Sequence, residues 1–503
     1  MLKTCIICGK AAGSGEHVFP AALGGRRVNR GIYCSSHDNS YSDLVSEIAG
    51  QLDFINAYLG VKPDHSKRPK AAYAVHSLTG ETVSFTSEDV RFTEPRIISR
   101  RHAGEYEETL MVFPDRQSAK RYITEQEASG CQFQPLSRPT EIPYIIDELS
   151  HHRSFGGACG LGAIAYIAQT YFAQEFPDIA RTKSLSDFIH YTQAIARIAT
   201  LGGGEPQPNE SEKLIQARHD LDAALKAFEG KEPVWWDFTP TADDRPNHFE
   251  FGHRVTVGVD STDGQIYGRV SLFSVLMFSV CFGTAPKGSL TQEVSFDINP
   301  LAEHTPHDCV KSIVYSASGR VFVPDNPTEK LEEAISSGKQ KLLFDNLFQR
   351  LEEHQLRKLS RSINADLARC STMSKFEARN LIDEVLSRQK QAIWRLVISV
   401  IGGLKTKMVN DGQESIAPLL DQMIASDVHS ASGLTPLAEA FLSLAHAALL
   451  TQMEQDSAAG VLNEERIAEL MGKGPGLYVV GKMVLSPLIQ VLGEHDSSGN
   501  LRG

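Results

Sequence analysis

The spacing of hydrophobic positions changes along the chain, and each change predicts a different kind of structure. From Ser40 to Leu59 apolar residues recur every three or four positions, which predicts one amphipathic helix. Between Ala71 and Pro324 short apolar runs alternate with turn residues, which predicts antiparallel strands and a few helices. Helical spacing then continues to the end. We therefore expect a multidomain α+β fold with an antiparallel sheet in its middle and a helical C-terminal region.

Composition indicates where these regions meet. Residues 62–70 are rich in proline and basic side chains, which is typical of a linker. We expect an N-terminal module at 1–60, a linker at 61–70, a central α+β domain at 71–325 and a helical domain at 326–503. Because a charged, Pro-containing segment seldom crosses a core, we also expect the chain from Ala71 onward to fold without the N-terminal module.

Turn residues predict two hairpins in the central region. Tyr73–His76 and Val83–Phe85 flank Thr79-Gly80, and Ile313–Tyr315 is expected to pair with Val321–Val323 across Ser318-Gly319. Both pairs would add to the antiparallel sheet.

Two helices can be predicted from local signals. Residues 155–175 contain Gly160-Leu-Gly162, which imitates a dinucleotide-binding loop, but no strand leads into it, so we interpret it as a tightly packed buried helix. Ser374 and Glu377 have the spacing of a capping box and predict the start of a helix that continues to about Ile401.

Four candidate metal ligands frame the first forty residues: Cys5, Cys8, Cys34 and His37. Two residues separate the members of each pair, so a tight turn can bring both to one tetrahedral ion. The spacing predicts a zinc site. A module this short buries too little apolar surface to stay folded unaided, so the zinc would be structural.

The polar residues between these half-sites occur in an order that resembles the HNH endonucleases, the zinc-stapled branch of the ββα-metal nucleases. The matching features, in chain order, are Cys5-Ile-Ile-Cys8, Glu16-His17, Pro20, Leu23-Gly24-Gly25, Asn29 and Cys34-Ser-Ser-His37. Two positions depart from the family pattern: the last ligand is His37 rather than Cys, and Asp38 precedes Asn39 where the family has Asn. The departure leaves open whether His37 binds zinc or a second, catalytic ion. The resemblance covers residues 1–60 only.

This resemblance implies a ββα-metal fold for residues 1–60 and a role for each polar residue. His17 would be the general base that deprotonates the attacking water. Glu16 and Asp38 or Asn39 would hold one catalytic Mg²⁺ or Mn²⁺ through oxygen ligands. Asn29 would tie the loop that positions His17. The implied reaction is hydrolysis of a nucleic-acid phosphodiester bond.

Charge is unevenly distributed, and this supports a nucleic-acid partner. The whole chain carries a net charge of −12, yet residues 1–70 contain nine Lys or Arg against six acidic residues. Arg26, Arg27 and Arg30 form a basic patch that can contact phosphates. Among nucleic acids we expect DNA as the substrate. The alternative for these three arginines is an ordinary solvated loop.

Location and membrane association can also be predicted. The longest apolar runs, 272–282 and 392–401, are shorter than a membrane span, and the second contains Arg395. We expect no membrane association and no signal peptide before Cys5. The cysteines outside the half-sites show no spacing that suggests disulfide pairs, which is typical of a cytoplasmic protein.

Three classes of function stay open. The first is the endonuclease. The second is a zinc module that docks nucleic acid or a protein without cleaving it. The third treats residues 71–503 as a sensor or oligomerisation scaffold, with a homo-oligomer or regulatory partner controlling the nuclease, as in bacterial antiviral defence or mobile elements. The presence of Glu16, His17 and Asn29 together favours the nuclease, because a purely structural finger needs none of them.

Overall fold

The computed structural model describes residues 3–26, 28–64, 66, 68–76, 80–87, 90–104, 106–133, 149–151, 155–203, 210–238, 247–302, 308–316, 319–412, 417–424, 435–472 and 474–498. The elements up to residue 230 are β1 (Glu16–His17), β2 (Val28–Asn29), α1 (Ser35–Asn39), α2 (Ser42–Gln51), α3 (Asp53–Leu59), β3 (Ala72–His76), β4 (Thr82–Phe85), β5 (Val90–Phe92), β6 (Arg96–Ala103), β7 (Tyr106–Val112), α4 (Arg116–Glu127), β8 (Leu149–Ser150), α5 (Gly157–Glu175), α6 (Ser186–Thr200) and α7 (Glu212–Lys226).

The remaining elements form a run of strands and then a run of helices. They are β9 (Val234–Trp236), β10 (His253–Val259), β11 (Gln265–Leu272), β12 (Leu276–Thr284), β13 (Gln292–Ile298), β14 (Cys309–Tyr315), α8 (Pro327–Ser336), α9 (Lys339–Leu367), α10 (Lys375–Ser387), α11 (Lys390–Asn410), α12 (Ala417–Ile424), α13 (Pro436–Ala458), α14 (Glu464–Met471) and α15 (Pro475–Ser498). This order confirms the predicted α+β class, with antiparallel sheets in the middle and a helical C-terminus.

The chain divides into two compact units. Unit 1 comprises Met1–Ala72, Phe85–Asp89 and His151–Gln349, and unit 2 comprises Tyr73–Ser84, Val90–Ser150 and Arg350–Gly503. The N-terminal module therefore lies in the same unit as the largest sheet. The predicted boundaries at 60, 70 and 325 stay a prediction.

A six-stranded antiparallel sheet forms one layer of unit 1, with the strand order β14-β13-β10-β11-β12-β9. Its β14 pairs with β13 through Val294 opposite Ile313. The predicted pairing of 313–315 with 321–323 is therefore wrong. The side-chain amide of Gln265 holds that second segment instead, because it donates to the Val321 carbonyl at 3.1 Å and accepts from the Val321 amide at 2.9 Å.

Helix α5 packs across this sheet and is the most deeply buried helix of unit 1 that the structure describes, as predicted for residues 155–175. Its glycines serve close packing. A Cβ added at Gly162 would lie 2.5 Å from Ile195 on α6, and one at Gly160 would lie 2.8 Å from the side chain of Gln51 on α2. The Gly160-Leu-Gly162 motif is therefore a helix-packing feature, as the sequence indicated.

The stretch predicted as one helix from Ser40 to Leu59 is divided. It forms α2 and α3, with a break at Leu52, where φ is −105° and ψ is 8°. Asp38 and Asn39 end the short helix α1 and do not begin α2. The Asp38 amide already donates to the Cys34 carbonyl at 3.0 Å, because Cys34 caps α1.

Unit 2 combines small sheets with a helical core. Strands β5, β4, β3 and β8 form one sheet in that order, and β6 pairs with β7. The predicted hairpin of β3 and β4 is thus confirmed, although residues 77–79 of its turn lie outside the described residues. The capping box of Ser374 and Glu377 is present at the start of α10. That helix ends at Ser387, and α11 begins at Lys390, so one predicted helix is two.

His253 on β10 joins the sheet to the N-terminal module within unit 1. Its ring is fully buried. The Phe273 amide donates to Nδ1 at 3.1 Å, so the proton lies on Nε2, which donates to the Leu23 carbonyl at 3.1 Å. Burial lowers the pKa of His253 to about 3. The imidazole is therefore neutral, and its two hydrogen bonds require that protonation state.

Because His253 is buried in its neutral form, we predict that the stability of the protein depends on pH. The unfolded chain protonates His253 below its ordinary pKa of 6.5, whereas the folded chain resists protonation down to about 3. The unfolded state then binds more protons, so the free energy of unfolding falls as pH drops from about 6.5 towards 3, by about 2 kcal/mol between pH 7 and pH 5.

Urea unfolding at pH 7 and pH 5 checks this expectation. His253→Gln should be less stable than wild type at pH 7 but should lose about 2 kcal/mol less between the two pH values. His219→Gln, at an exposed position of α7, is the matched control and should behave as wild type. An equal decline in wild type and His253→Gln would show that this site does not cause the pH dependence.

Candidate metal centre and the residues around it

The first half-site is a tight turn closed by backbone hydrogen bonds. The Gly9 amide donates to the Cys5 carbonyl at 2.9 Å, and the Cys5 amide donates to the Lys10 carbonyl at 2.7 Å. Gly9 has a φ of +70°, which favours glycine at this position. The turn directs Cys5, which is buried, and Cys8, which is exposed, toward the same point.

The second half-site is the start of helix α1. Cys34 is the residue that caps the helix, so its sulfur lies near the free amides of the first turn. The Ser36 hydroxyl and then the His37 amide lower the pKa of the Cys34 thiol to about 6. A thiolate is the form that binds a metal, and this position favours it.

The four ligand atoms converge. The Sγ atoms of Cys8 and Cys34 are 3.8 Å apart, and His37 Nδ1 lies 3.6 Å from Cys5 Sγ and 3.2 Å from Cys34 Sγ. Tetrahedral zinc, with bonds of about 2.3 Å to sulfur and about 2.0 Å to nitrogen, sets edges of about 3.5 to 3.8 Å. Two of these three separations match such an ion, and the third is slightly shorter. The donor set therefore fits a metal such as zinc.

Within the described parts of the chain, these four residues form the one group of three or more His, Cys, Asp or Glu ligands that can hold a metal ion. His37 is brought to the three sulfurs, as the zinc interpretation of the sequence required. Its Nδ1 is the nitrogen that faces them.

His17 lies on β1, which pairs with β2 in the register Glu16 to Asn29 and His17 to Val28. Its Nε2 is 3.2 Å from Oδ2 of Asp64, and the two side chains are 15% and 21% exposed. The imidazole thus faces a carboxylate while keeping some access to solvent. A carboxylate at this distance can orient the imidazole ring.

Glu16 and Asn29 share the opposite face of this two-stranded ribbon, because neighbouring side chains of a strand alternate. The structure therefore does not place Glu16 and His17 on one face. Asn29 Oδ1 accepts from the Gly31 amide at 2.7 Å. This bond closes the turn between β2 and Tyr33, so Asn29 holds the loop that leads to the second half-site.

Asp38 is half-buried next to the metal cluster. The Ser14 hydroxyl donates to its Oδ2, and its Oδ1 is buried with no hydrogen-bond partner among the described residues. Burial raises the pKa of this carboxyl. An unpartnered buried carboxylate oxygen fits either a proton or a cation. The neighbouring Asn39 is exposed at the end of α1.

Arg26 and Arg30 of the predicted arginine patch differ in their surroundings. Arg30 is exposed, and Arg27 lies outside the described residues. Arg26 lines a cavity of about 190 Å³ between the loop and strand β13, together with Phe296 and Asp308. Its Nε is buried without a hydrogen-bond partner in the described structure. Arg26 therefore lines this cavity, and phosphate binding by the three arginines stays a prediction.

Close packing explains the two glycines of the Leu23-Gly24-Gly25 motif. A Cβ added at Gly25 would lie 1.7 Å from the Phe19 carbonyl oxygen, and one at Gly24 would lie 2.8 Å from Pro300 after β13. Gly24 also has a φ of +80°. The two glycines let the loop fold back on itself and dock against the sheet of unit 1.

Three residues that the sequence did not single out complete the surroundings of the module. Arg181 donates from its guanidinium to the carbonyls of Thr4 and Gly31, and Tyr33 is buried against α5. Asp64 falls in the segment interpreted as a linker. These residues are distant in sequence from their partners, so no local spacing marks them.

Searches against protein-family models, curated proteins and solved structures found no match for this chain. No helix in the described residues is long and apolar enough to span a membrane.

The metal centre can be tested by removing one ligand. Cys8→Ser should lower the metal content from about one zinc per chain to a small fraction, because three ligands bind a tetrahedral ion much more weakly. Elemental analysis after exchange into zinc-containing and then zinc-free buffer measures this directly.

Two variants control for this loss. Cys131→Ser changes an exposed cysteine outside the cluster and should keep full zinc content. His37→Cys should also keep zinc, because four thiolates form an equally suitable site. Unchanged zinc content in Cys8→Ser would rule out this cluster as the metal site.

Proposed function

We propose that this protein is a metal-dependent endonuclease of the HNH type that hydrolyses nucleic-acid phosphodiester bonds, with DNA as the favoured substrate. The proposal rests on the order of the elements around the cluster of Cys5, Cys8, Cys34 and His37, which we call the Cys3His cluster. Strands β1 and β2 lie between its two half-sites, α1 carries the second half-site, and His17 on β1 faces a carboxylate. This order agrees with the ββα-metal fold that the motif resemblance implies.

In the proposed reaction, His17 takes a proton from a water molecule whose oxygen attacks the phosphorus atom. A bond forms between that oxygen and phosphorus, and the bond from phosphorus to the 3′ oxygen breaks. The 3′ oxygen takes a proton from solvent. The products are a 5′ phosphate and a 3′ hydroxyl, and no redox partner is needed.

The remaining residues have supporting roles in this proposal. Zinc in the Cys3His cluster is structural. Asp38 offers a divalent ion an oxygen that has no hydrogen-bond partner in the described structure, with Asn39 as a neighbouring oxygen ligand. Mg²⁺ or Mn²⁺ held there would neutralise the charge that develops on the phosphate and the leaving oxygen. Arg30 and Arg27 would contact the phosphate backbone.

Substitution of His17 tests the proposal. His17→Ala should keep zinc and nucleic-acid binding but lose about 10² to 10⁴ in cleavage rate, because a positioned base contributes that much. Plasmid and RNA cleavage with Mg²⁺ or Mn²⁺, beside a fluorescence binding assay, separates chemistry from binding.

His219→Ala removes an exposed histidine from α7 and serves as the control, which should cleave as wild type. Cleavage by His17→Ala at the rate of active wild type would show that the activity belongs to other residues.

The alternative function is a zinc module that binds nucleic acid or protein without cleaving it. One observation favours it: in the described residues, no second group of three or more His, Cys, Asp or Glu ligands accompanies the Cys3His cluster. Binding by wild type with no cleavage in Mg²⁺, Mn²⁺ or Zn²⁺, unaffected by His17→Ala, would support this alternative.

A further inference from the structure

We propose that Asp64 is the positioning residue for His17, holding the imidazole in the tautomer with its proton on Nε2. This inference deepens the proposed function and rests on it for its catalytic meaning. The observation that carries it is the 3.2 Å separation between His17 Nε2 and Asp64 Oδ2, across 47 positions of sequence.

The fold brings Asp64 to this place through a defined chain reversal. Helix α3 ends at Leu59 and is capped by Gly60, whose φ is +74°, and the Val61 amide then donates to the Asn56 carbonyl at 2.9 Å. A side chain at Gly60 would lie 2.5 Å from Ser87, so the turn is closely packed. Val61 is buried, which anchors the segment that ends at Asp64.

The chemistry of the pair determines which imidazole nitrogen of His17 carries the hydrogen. An ionised carboxylate only accepts hydrogen bonds, so the nitrogen that faces it carries the hydrogen. Neutral imidazole has one N–H, so Nδ1 then holds the lone pair and is the atom that takes the proton of water. Loss of Asp64 removes the acceptor that favours the Nε2–H tautomer, so a larger part of the population presents N–H at Nδ1, where a base is needed.

Partial burial makes this pair stronger than an open surface contact. The side chains of His17 and Asp64 are 15% and 21% exposed, so water competes only weakly for the bond. A comparable pair exists at the other end of α3, where His151 Nε2 lies 3.4 Å from Asp53 Oδ1, with exposures of 12% and 15%. That pair does not involve His17 and provides a matched control.

The first test reads the tautomer directly and needs no catalysis. Zinc-loaded protein is labelled with ¹⁵N in histidine only and studied by long-range ¹H–¹⁵N NMR at pH 8, with His17 assigned by its absence in His17→Gln. Wild type should show His17 with a protonated Nε2 and an unprotonated Nδ1. Asp64→Ala should show averaged nitrogen shifts, whereas Asp53→Asn should match wild type.

The second test measures cleavage. Asp64→Ala should lower kcat by about 10- to 100-fold, the size expected for loss of a group that orients a reactive residue, with KM nearly unchanged. Asp64→Glu should recover part of the rate, and Asp53→Asn should retain all of it. In the His17→Ala background, Asp64→Ala should cause no further loss, because Asp64 acts through His17.

Identical His17 nitrogen shifts in wild type and Asp64→Ala would overturn the inference, as would equal cleavage rates in those two proteins. An equal fold-loss from Asp64→Ala with and without His17 would overturn it too. If wild type cleaves no substrate, the proposed function fails by itself, and the NMR result still decides the role of Asp64.

Discussion

The position of the candidate site depends on one buried side-chain amide, that of Gln169 in the middle of α5. Its Nε2 donates to the Tyr33 hydroxyl at 3.0 Å, and its Oε1 accepts from the Thr192 hydroxyl at 2.9 Å. A buried polar group without a partner costs about 1–3 kcal/mol, and the bond from Gln169 Nε2 forms only while Tyr33 is docked. Tyr33 directly precedes Cys34, so the network fixes the point where α1 starts.

Two kinds of constraint therefore hold the N-terminal module. The cluster of Cys5, Cys8, Cys34 and His37 would join the Cys5 turn to α1 when a metal is bound, and buried contacts join the module to the helices and sheet of unit 1. The ring of Tyr41 stacks on that of Tyr166 with centroids 4.3 Å apart, and His253 holds the Leu23 carbonyl. These contacts are a physical objection to the expectation that the chain from Ala71 onward folds alone. They also set the position of His17, since a two-residue strand is marginal by itself.

Local spacing predicted much of this arrangement, and long-range contacts account for the rest. Cys5, Cys8, Cys34 and His37 could be found because each pair needs only one tight turn. The buried character of α5 followed from its composition. Asp64 could not be found in the same way, because its partner is remote and a Pro-containing basic segment is typical of a linker. The wrong pairing of 313–315 has the same cause, since the choice between two partners for β14 depends on the fold of the whole sheet.

The proposed reaction is hydrolysis by an activated water, with the 3′ oxygen as the leaving group. The chemical groups at the product ends distinguish this reaction from cleavage that leaves a 3′ phosphate. Plasmid nicked by the wild-type protein with Mg²⁺ or Mn²⁺ should be sealed by DNA ligase without any prior end treatment, because every nick carries a 5′ phosphate and a 3′ hydroxyl. Nicks that ligase seals only after a 3′ phosphate is removed and a 5′ hydroxyl is phosphorylated would contradict this mechanism.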